Sequence, residues 1–275
     1  MADVLALLTG DPGRPRLTWY GPDGERIELS GAVLANWVSK TTNLLVEEFD
    51  AGPGVRIGLD LPAHWRTVVW ALAVWRCGAC VVVGEGVSTA AVVVTDRPAS
   101  FPGVDQLVAV ALPGLARRFD GELPAGAVDA ASAVMTYGDQ IGWAPEVVGG
   151  EAAVDGVAAA AVAHDGLVAW AIEGSATPDG ARVLQAAGSD RSAAVATALR
   201  GVLGFWARGG SIVLLGSDVV EALAADPSRR DRLIASERVT AGVRGDRPRY
   251  GTSAWTTVPV PCTVREPSDA GAKAL

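Results

Sequence analysis

The sequence predicts an α/β fold, a mostly parallel sheet in a three-layer arrangement. Three observations carry that prediction. Valine-rich runs such as Cys80-Val81-Val82-Val83 and Ala91-Val92-Val93-Val94-Thr95 are apolar without alternation, as parallel strands covered on both faces are. Segments of helical periodicity lie between such runs, and strand–helix–strand alternation builds layered parallel sheets. A length of 275 residues with 49% hydrophobic content is sufficient for a core of ordinary depth.

The elements follow in order. Arg16 to Tyr20 reads as a strand, Gly21-Pro22-Asp23-Gly24 as a turn, and Arg26 to Leu29 as its hairpin partner. Ser30 is placed to cap a helix whose apolar residues Val33, Leu34, Trp37, Val38, Leu44, Leu45 and Phe49 keep helical spacing. Ala51-Gly52-Pro53-Gly54 ends it, and Val55 to Leu59 is a strand. Pro62 opens a second helix to about Arg76, apolar nearly all round and therefore predicted to be buried. The two valine runs come next. Between Asp96 and Gly156 the periodicity weakens, and the reading is loops with short elements. Gly166 to Ile172 is predicted as a strand, Ser192 to Arg208 as a helix and Ser211 to Leu215 as a strand. Val219 to Ala235 is predicted mostly helical, with a break near Pro227. Residues 1–240 are thus read as one α/β domain and 241–275 as an irregular tail, with a strand expected at Ala254 to Val258.

Composition narrows the function classes. A formal charge of −8 and a pI near 4.8 lack the basic footprint of a nucleic-acid or anionic-membrane binder. No apolar run approaches the ~20 residues of a membrane span, and Met1-Ala2-Asp3-Val4 has no basic segment before an apolar stretch. Three cysteines make no complete disulfide framework, which suits a reducing compartment. The expectation is a cytoplasmic protein without nucleic-acid or membrane partners. Lysine occurs only at Lys40 and Lys273, so a mechanism that needs lysine has two candidates.

Most constellations read as structural. Cys77-Gly78-Ala79-Cys80 falls at the C-terminal end of a predicted helix, where the dipole does not favour a thiolate, so packed thiols are expected. A zinc site would need further ligands from Cys262, His64 and His164, and no metal site is predicted. His64 and His164 are expected at the surface, and no G-x-S-x-G elbow supplies a nucleophile for either. Glu47-Glu48 reads as a solvated helix end. Trp65, Trp70 and Trp75, five residues apart, spread around a helix and read as core. Glu173-Gly174-Ser175-Ala176-Thr177-Pro178-Asp179-Gly180 is the one glycine-rich loop positioned to meet phosphates, although it holds two carboxylates and no cation before Arg182.

Taken in order, several segments resemble the N-terminal part of adenylate-forming enzymes: acyl-CoA synthetases, luciferases and peptide-synthetase adenylation domains. They are Leu17-Thr18-Trp19, Asn43-Leu44-Leu45, Gly52-Pro53-Gly54-Val55-Arg56-Ile57-Gly58-Leu59, Leu61-Pro62 and Arg76-Cys77-Gly78-Ala79. Later, Gly209-Gly210-Ser211-Ile212-Val213-Leu214-Leu215 and Glu237-Arg238-Val239-Thr240 match in the same order. The resemblance covers residues 15–95 and, more loosely, 165–240. In that family a loop T-S-G-T-T-G-x-P-K-G grips ATP phosphates. Gly174, Ser175, Thr177 and Gly180 stand in its place, as a degenerate phosphate loop one residue short, with Asp179 where the family has Lys. The family also continues into an adenine-binding segment and a C-terminal domain with a second lysine, and neither Lys40 nor Lys273 matches that lysine by position.

The resemblance therefore implies a catalytically incomplete acyl-CoA synthetase-like protein with a binding or accessory role, no catalytic residues and no cofactor. The expected partners are an unidentified small molecule and a second copy or another protein, with Trp255, Val258, Val260 and Val264 of the tail offered as a partial cover for an apolar face. Two alternatives stand beside it: an active acyl-activating or nucleotide-using enzyme with a rebuilt site or a completing partner chain, which would use ATP or AMP, and an unrelated small-molecule binding module using the sheet's C-terminal edge.

Overall fold

A computed structural model describes residue 6, residues 8–173 and residues 177–243. The predicted hairpin forms from β1 (Pro15–Tyr20) and β2 (Arg26–Ser30), with Trp19 opposite Ile27. The Ser30 hydroxyl accepts the Val33 N–H and caps α1 (Gly31–Phe49), as the sequence implied. There follow β3 (Arg56–Asp60), α2 (Trp65–Arg76), β4 (Cys80–Val82), β5 (Val92–Thr95), β6 (Leu107–Ala109) and β7 (Val128–Asp129). A short α3 (Ala130–Ala133), β8 (Ala152–Asp155) and β9 (Val162–Ala163) lie in the weakly periodic stretch. The chain continues through α4 (Leu167–Ile172), β10 (Arg182–Ala186), α5 (Arg191–Ala207) and β11 (Ser211–Leu215). It ends its described course with α6 (Ser217–Ala225), α7 (Pro227–Ser236) and β12 (Ala241–Val243).

The class is α/β and mostly parallel, as predicted, but the strands divide into two sheets. One has the order β12-β10-β11-β1-β2 and the other β7-β6-β5-β3-β4-β8-β9. Among the described residues only the β1–β2 and β8–β9 pairs are antiparallel. Leu17 of the hairpin pairs with Ile212, so the chain leaves the first sheet, builds the second and returns. A sequence scan sees each apolar run but not its pairing partner, which is why one sheet was expected.

Helices α1, α2 and α5 fill the space between the sheets, and α2 touches β1 on one side and β3 and β4 on the other. Trp65, Trp70 and Trp75 are buried there, as predicted. Two indole N–H groups bond the layer to both sheets: Trp75 Nε1 donates to the Ala153 carbonyl at 2.7 Å and Trp206 Nε1 to the Arg16 carbonyl at 3.0 Å. On β11, Ile212 and Leu214 face this core, while Val213 and Leu215 face a second core formed with Leu184, Val219 and Leu223 under α6 and α7. Both faces are covered, which accounts for the unbroken apolar run.

Four local expectations change. Residues Leu167–Ile172 are helical rather than a strand, with Leu167 and Ala171 buried one turn apart. A short apolar run does not distinguish the two by periodicity. Here α4 lies against α5 at Gly204, where a Cβ would stand 2.7 Å from the Ala171 carbonyl oxygen. The second helix starts at Trp65, not Pro62, and His64 is its N-cap. Both histidines, expected at the surface, are buried, His64 at 3% exposure and His164 at 5%. Strand β12 carries the first sheet three residues past Thr240; residues 244–275, with the strand expected at Ala254–Val258, lie outside the described residues. The break at Pro227 is present, with Asp226 capping α7 through the Arg229 N–H. No described helix is long and apolar enough to cross a membrane.

Beside the second core, one carboxylate ties the end of the outer helical layer to the first sheet. Glu237, 7% exposed, accepts from Tyr20 Oη at 2.6 Å and Arg26 Nε at 2.9 Å, and pairs with the Arg182 guanidinium. Burial raises the Glu237 pKa, but hydrogen bonds from Arg26, Tyr20 and Arg182 outweigh it and bring the value down to about 2. A carboxylate depressed from its ordinary 4.5 gives stability that is complete above that pH and is lost as the pH falls toward 2, here about 3 kcal/mol. Glu237→Gln is therefore expected to lower unfolding stability by about 3 kcal/mol at neutral pH and by much less near pH 2. Urea unfolding of both proteins across that range measures the difference.

Candidate functional site

Two places are geometrically eligible: the glycine-rich loop expected from the sequence to stand in place of a phosphate loop, and the crevice at the carboxyl ends of the second sheet. Of the loop, Thr177 to Gly180 are described, and Gly174 and Ser175 lie outside the described residues. The described part enters β10 at its amino end and closes against the end of α5. Gly180, at φ +70°, donates its N–H to the Arg208 carbonyl at 2.8 Å, and the Ala181 N–H donates to the Pro178 carbonyl at 3.3 Å. The Gly180 carbonyl accepts from Arg14 Nη2 at 3.4 Å. Asp179 projects into solvent with its side chain 83% exposed, 3.3 Å from Arg208 Nη1. An anion cradle needs several backbone N–H groups converging on one point. Here the Gly180 donor is taken by the Arg208 carbonyl and the Ala181 donor within the turn, and the side chain that projects into solvent is a carboxylate paired with Arg208.

Parallel α/β sheets bind ligands at strand carboxyl ends where the order reverses. In the second sheet the chain passes from β3 to β4 on one side, then to β5 on the other side of β3, so the reversal falls between β3 and β5. Their last residues are Asp60 and Thr95. Thr95 Oγ1 donates to Asp60 Oδ2 at 2.7 Å and accepts the Arg97 N–H at 2.9 Å. Arg97 Nη2 reaches Asp60 Oδ1 at 2.7 Å. Arg191, the first residue of α5, donates from Nη2 to the Asp60 carbonyl at 2.8 Å and pairs with the Asp96 carboxylate, while its Nε lies 3.2 Å from Asp60 Oδ1. Burial raises the Asp96 pKa against the opposing pull of Arg191. Two carboxylates and two guanidinium groups thus neutralise one another in the crevice. Sequence reasoning passed over all four; the signal available was that Asp60 and Asp96-Arg97 end two runs read as parallel strands.

The residues singled out for reactivity are structural. His64 Nδ1 accepts the Arg66 N–H at 3.1 Å, and the ring packs edge-on to Trp19 with centroids 4.5 Å apart. Burial, reinforced by the Arg66 charge, holds its pKa down at about 3, so the imidazole is neutral near pH 7. His164 Nε2 lies 3.1 Å from the Gly78 carbonyl oxygen, and burial lowers its pKa too. Cys77 and Cys80 are free and buried, and burial pushes both thiols up to about 11, as expected of packed cysteines. Lys40 on α1 donates to the Tyr137 carbonyl at 2.6 Å and pairs with Asp139 at 2.9 Å, while Lys273 lies outside the described residues. Among the described residues, no group of three or more His, Cys, Asp or Glu side chains is placed to hold a metal ion.

Removing Arg191 leaves Asp96 without its cation. Arg191→Met is expected to cost about 2 kcal/mol, less than a fully buried pair because its side chain is 28% exposed. The double variant with Asp96→Asn is expected to cost less than the two single changes added, a coupling that urea unfolding of the four proteins measures.

The fold is shared with larger enzymes. The chain matches an acyl-CoA synthetase of Brucella canis with a TM-score of 0.59 and 19% identity, over 81% of this chain and 48% of that one. It matches the amide bond synthetase Mcba of Marinactinospora thermotolerans with a TM-score of 0.60 and 19% identity, over 87% of this chain and 47% of that one. Both are adenylate-forming enzymes, and the chain spans about half the length of each, so the similarity is one of fold. In sequence, the chain is 36% identical over 245 residues to a protein of Mycobacterium tuberculosis (strain ATCC 25618 / H37Rv) described as a TIGR03089 family protein, covering 85% of this chain and 93% of that protein. No family model matches the chain. With its sheets, its helical layer and its order of segments on the adenylate-forming fold, the chain belongs to the TIGR03089 family.

Proposed function

We propose that this protein is a catalytically incomplete relative of the adenylate-forming enzymes that works as a binding or accessory protein. The observation that carries the reading is Asp179, an exposed carboxylate where the resembling loop has lysine, beside Gly180 and Ala181 amides already bonded to the Arg208 and Pro178 carbonyls. A triphosphate at that position loses the lysine's attraction, worth about 1 kcal/mol or more near a surface, and meets instead a carboxylate paired with Arg208. The engaged crevice between β3 and β5 supports the same reading, because its charges are spent on one another. In this reading Gly174, Ser175, Thr177 and Gly180 are the remnant of the phosphate loop, no cofactor is used, and the protein acts in the cytoplasm as a homodimer or with a partner protein.

The test is ATP–pyrophosphate exchange with a panel of fatty, aryl and amino acids. No substrate-dependent exchange above background is expected. Exchange that survives purification and disappears in Ser175→Ala would overturn the proposal. Thermal unfolding with ATP, AMP and coenzyme A provides an independent readout. A nucleotide present at 100 times its Kd would add about 2.7 kcal/mol, a rise of about 2 °C or more for a domain of this size, and no such rise is expected.

A further inference from the structure

We infer that the groove between α6, α7 and the β1–β2 turn binds a small carboxylic acid with an apolar body. The groove has a volume of about 300 Å³, at the lower end of the range for small-molecule pockets. Tyr20, Val219, Leu223 and Leu233 give it an apolar lining, and Arg229 and Arg232 line it from α7. The two arginines are three residues apart and so share one face of the helix. Both are exposed.

Charge selects the ligand class. The chain carries −8 overall, yet α7 holds Arg229, Arg230 and Arg232 against Asp231 within the helix and Asp226 at its N-cap. Asp226 takes the Arg229 backbone N–H, and Asp231 is taken by Arg230, at 3.2 Å. Glu237, just past the helix, is engaged by Tyr20, Arg26 and Arg182. Arg229 and Arg232 have no carboxylate partner among the described residues. Elsewhere Arg26, Arg56, Arg97, Arg182, Arg191, Arg200 and Arg208 each meet a carboxylate. Arg117, Arg118 and Arg238 are exposed without one among the described residues, but Arg229 and Arg232 stand side by side on the lining of one groove. Two guanidinium forks beside an apolar floor and an aromatic ring fit a carboxylate attached to an aliphatic or aromatic body, since the fork matches carboxylate geometry. A strongly hydrated inorganic anion would leave the apolar floor unused, and a neutral apolar molecule would leave the arginines unanswered.

The inference does not rest on the loop chemistry, so pyrophosphate exchange, whatever its outcome, leaves it intact. The test is calorimetric titration of the full chain with 1-naphthoate and with its neutral amide at low ionic strength. Saturable one-to-one binding of the acid is expected, at least tenfold tighter than the amide. In Arg229→Ala/Arg232→Ala the acid is expected to weaken about tenfold while the amide is unchanged; both residues are exposed, so the fold is retained. Ser236→Trp, which places bulk on the groove wall and keeps both arginines, is expected to weaken acid and amide together. No saturable binding, equal affinity for acid and amide, or undiminished acid affinity in the double-arginine variant would each overturn the inference.

Discussion

A helical layer enclosed by sheets on both sides is the constraint from which the rest of the structure follows. Helix α2 has no face left for water: Trp65 to Trp75 are buried along its whole length. Such a helix is apolar all round, and its polar atoms must find partners inside the protein. The indole N–H of Trp75 on α2 and that of Trp206 on α5 do so by reaching strand carbonyls, so each bond fixes helix position relative to a sheet, whereas the buried Trp65 N–H has no hydrogen-bond partner among the described residues. His64 solves the same problem at the helix start. A serine or aspartate cap is common there, but a neutral imidazole both caps the N–H and packs edge-on against Trp19. Its low pKa is the electrostatic consequence of that position.

Much of this was legible in the sequence wherever one local pattern decided the outcome. Ser30 before a 3.6-period segment, the Gly21–Gly24 turn between two short strands and Pro227 inside an otherwise helical stretch are all features whose physics lies within a few residues. What was not legible depended on distant residues. Nothing near Leu17 reveals that it pairs with Ile212, so two sheets read as one. The segment Leu167–Ile172 is as apolar as a strand, and it becomes a helix because α5 offers Gly204 as a seat for its backbone. The histidines were misplaced for a related reason: exposure of a lone polar residue follows from what packs over it, and that comes from elsewhere in the chain.

The candidate site divides along the same line. The loop was visible as a motif because glycine, serine and threonine cluster after an apolar run, and its altered charge was visible as Asp179. Its engagement was not visible, because the Arg208 carbonyl that takes the Gly180 N–H lies 28 residues on, at the end of α5. Of the crevice, only its place at the carboxyl edge of the sheet was legible. Asp60, Asp96, Arg97 and Arg191 come from three elements and form no pattern in the sequence, and only the position of β5 beside β3 brings them together.

Arginine is the residue through which this lysine-poor chain makes its long-range polar connections, and its chemistry explains why it suits that use. Arg66 reaches the carbonyls of Leu112, Pro113 and Gly114 while its guanidinium lies over the Trp65 ring at 4.3 Å. Arg182 binds Thr18, Ser211 and Glu237 together, and Arg191 holds Asp60 and Asp96. A guanidinium can satisfy several acceptors in one plane and stack on an aromatic face, whereas an ammonium is a compact, strongly hydrated charge. Each such arginine is consumed by the fold and is lost as a ligand for an incoming phosphate. The chain thus keeps the adenylate-forming fold with many of its cations turned inward as ties, while Arg229 and Arg232 face outward on α7, on the opposite side of the first sheet from the helical layer.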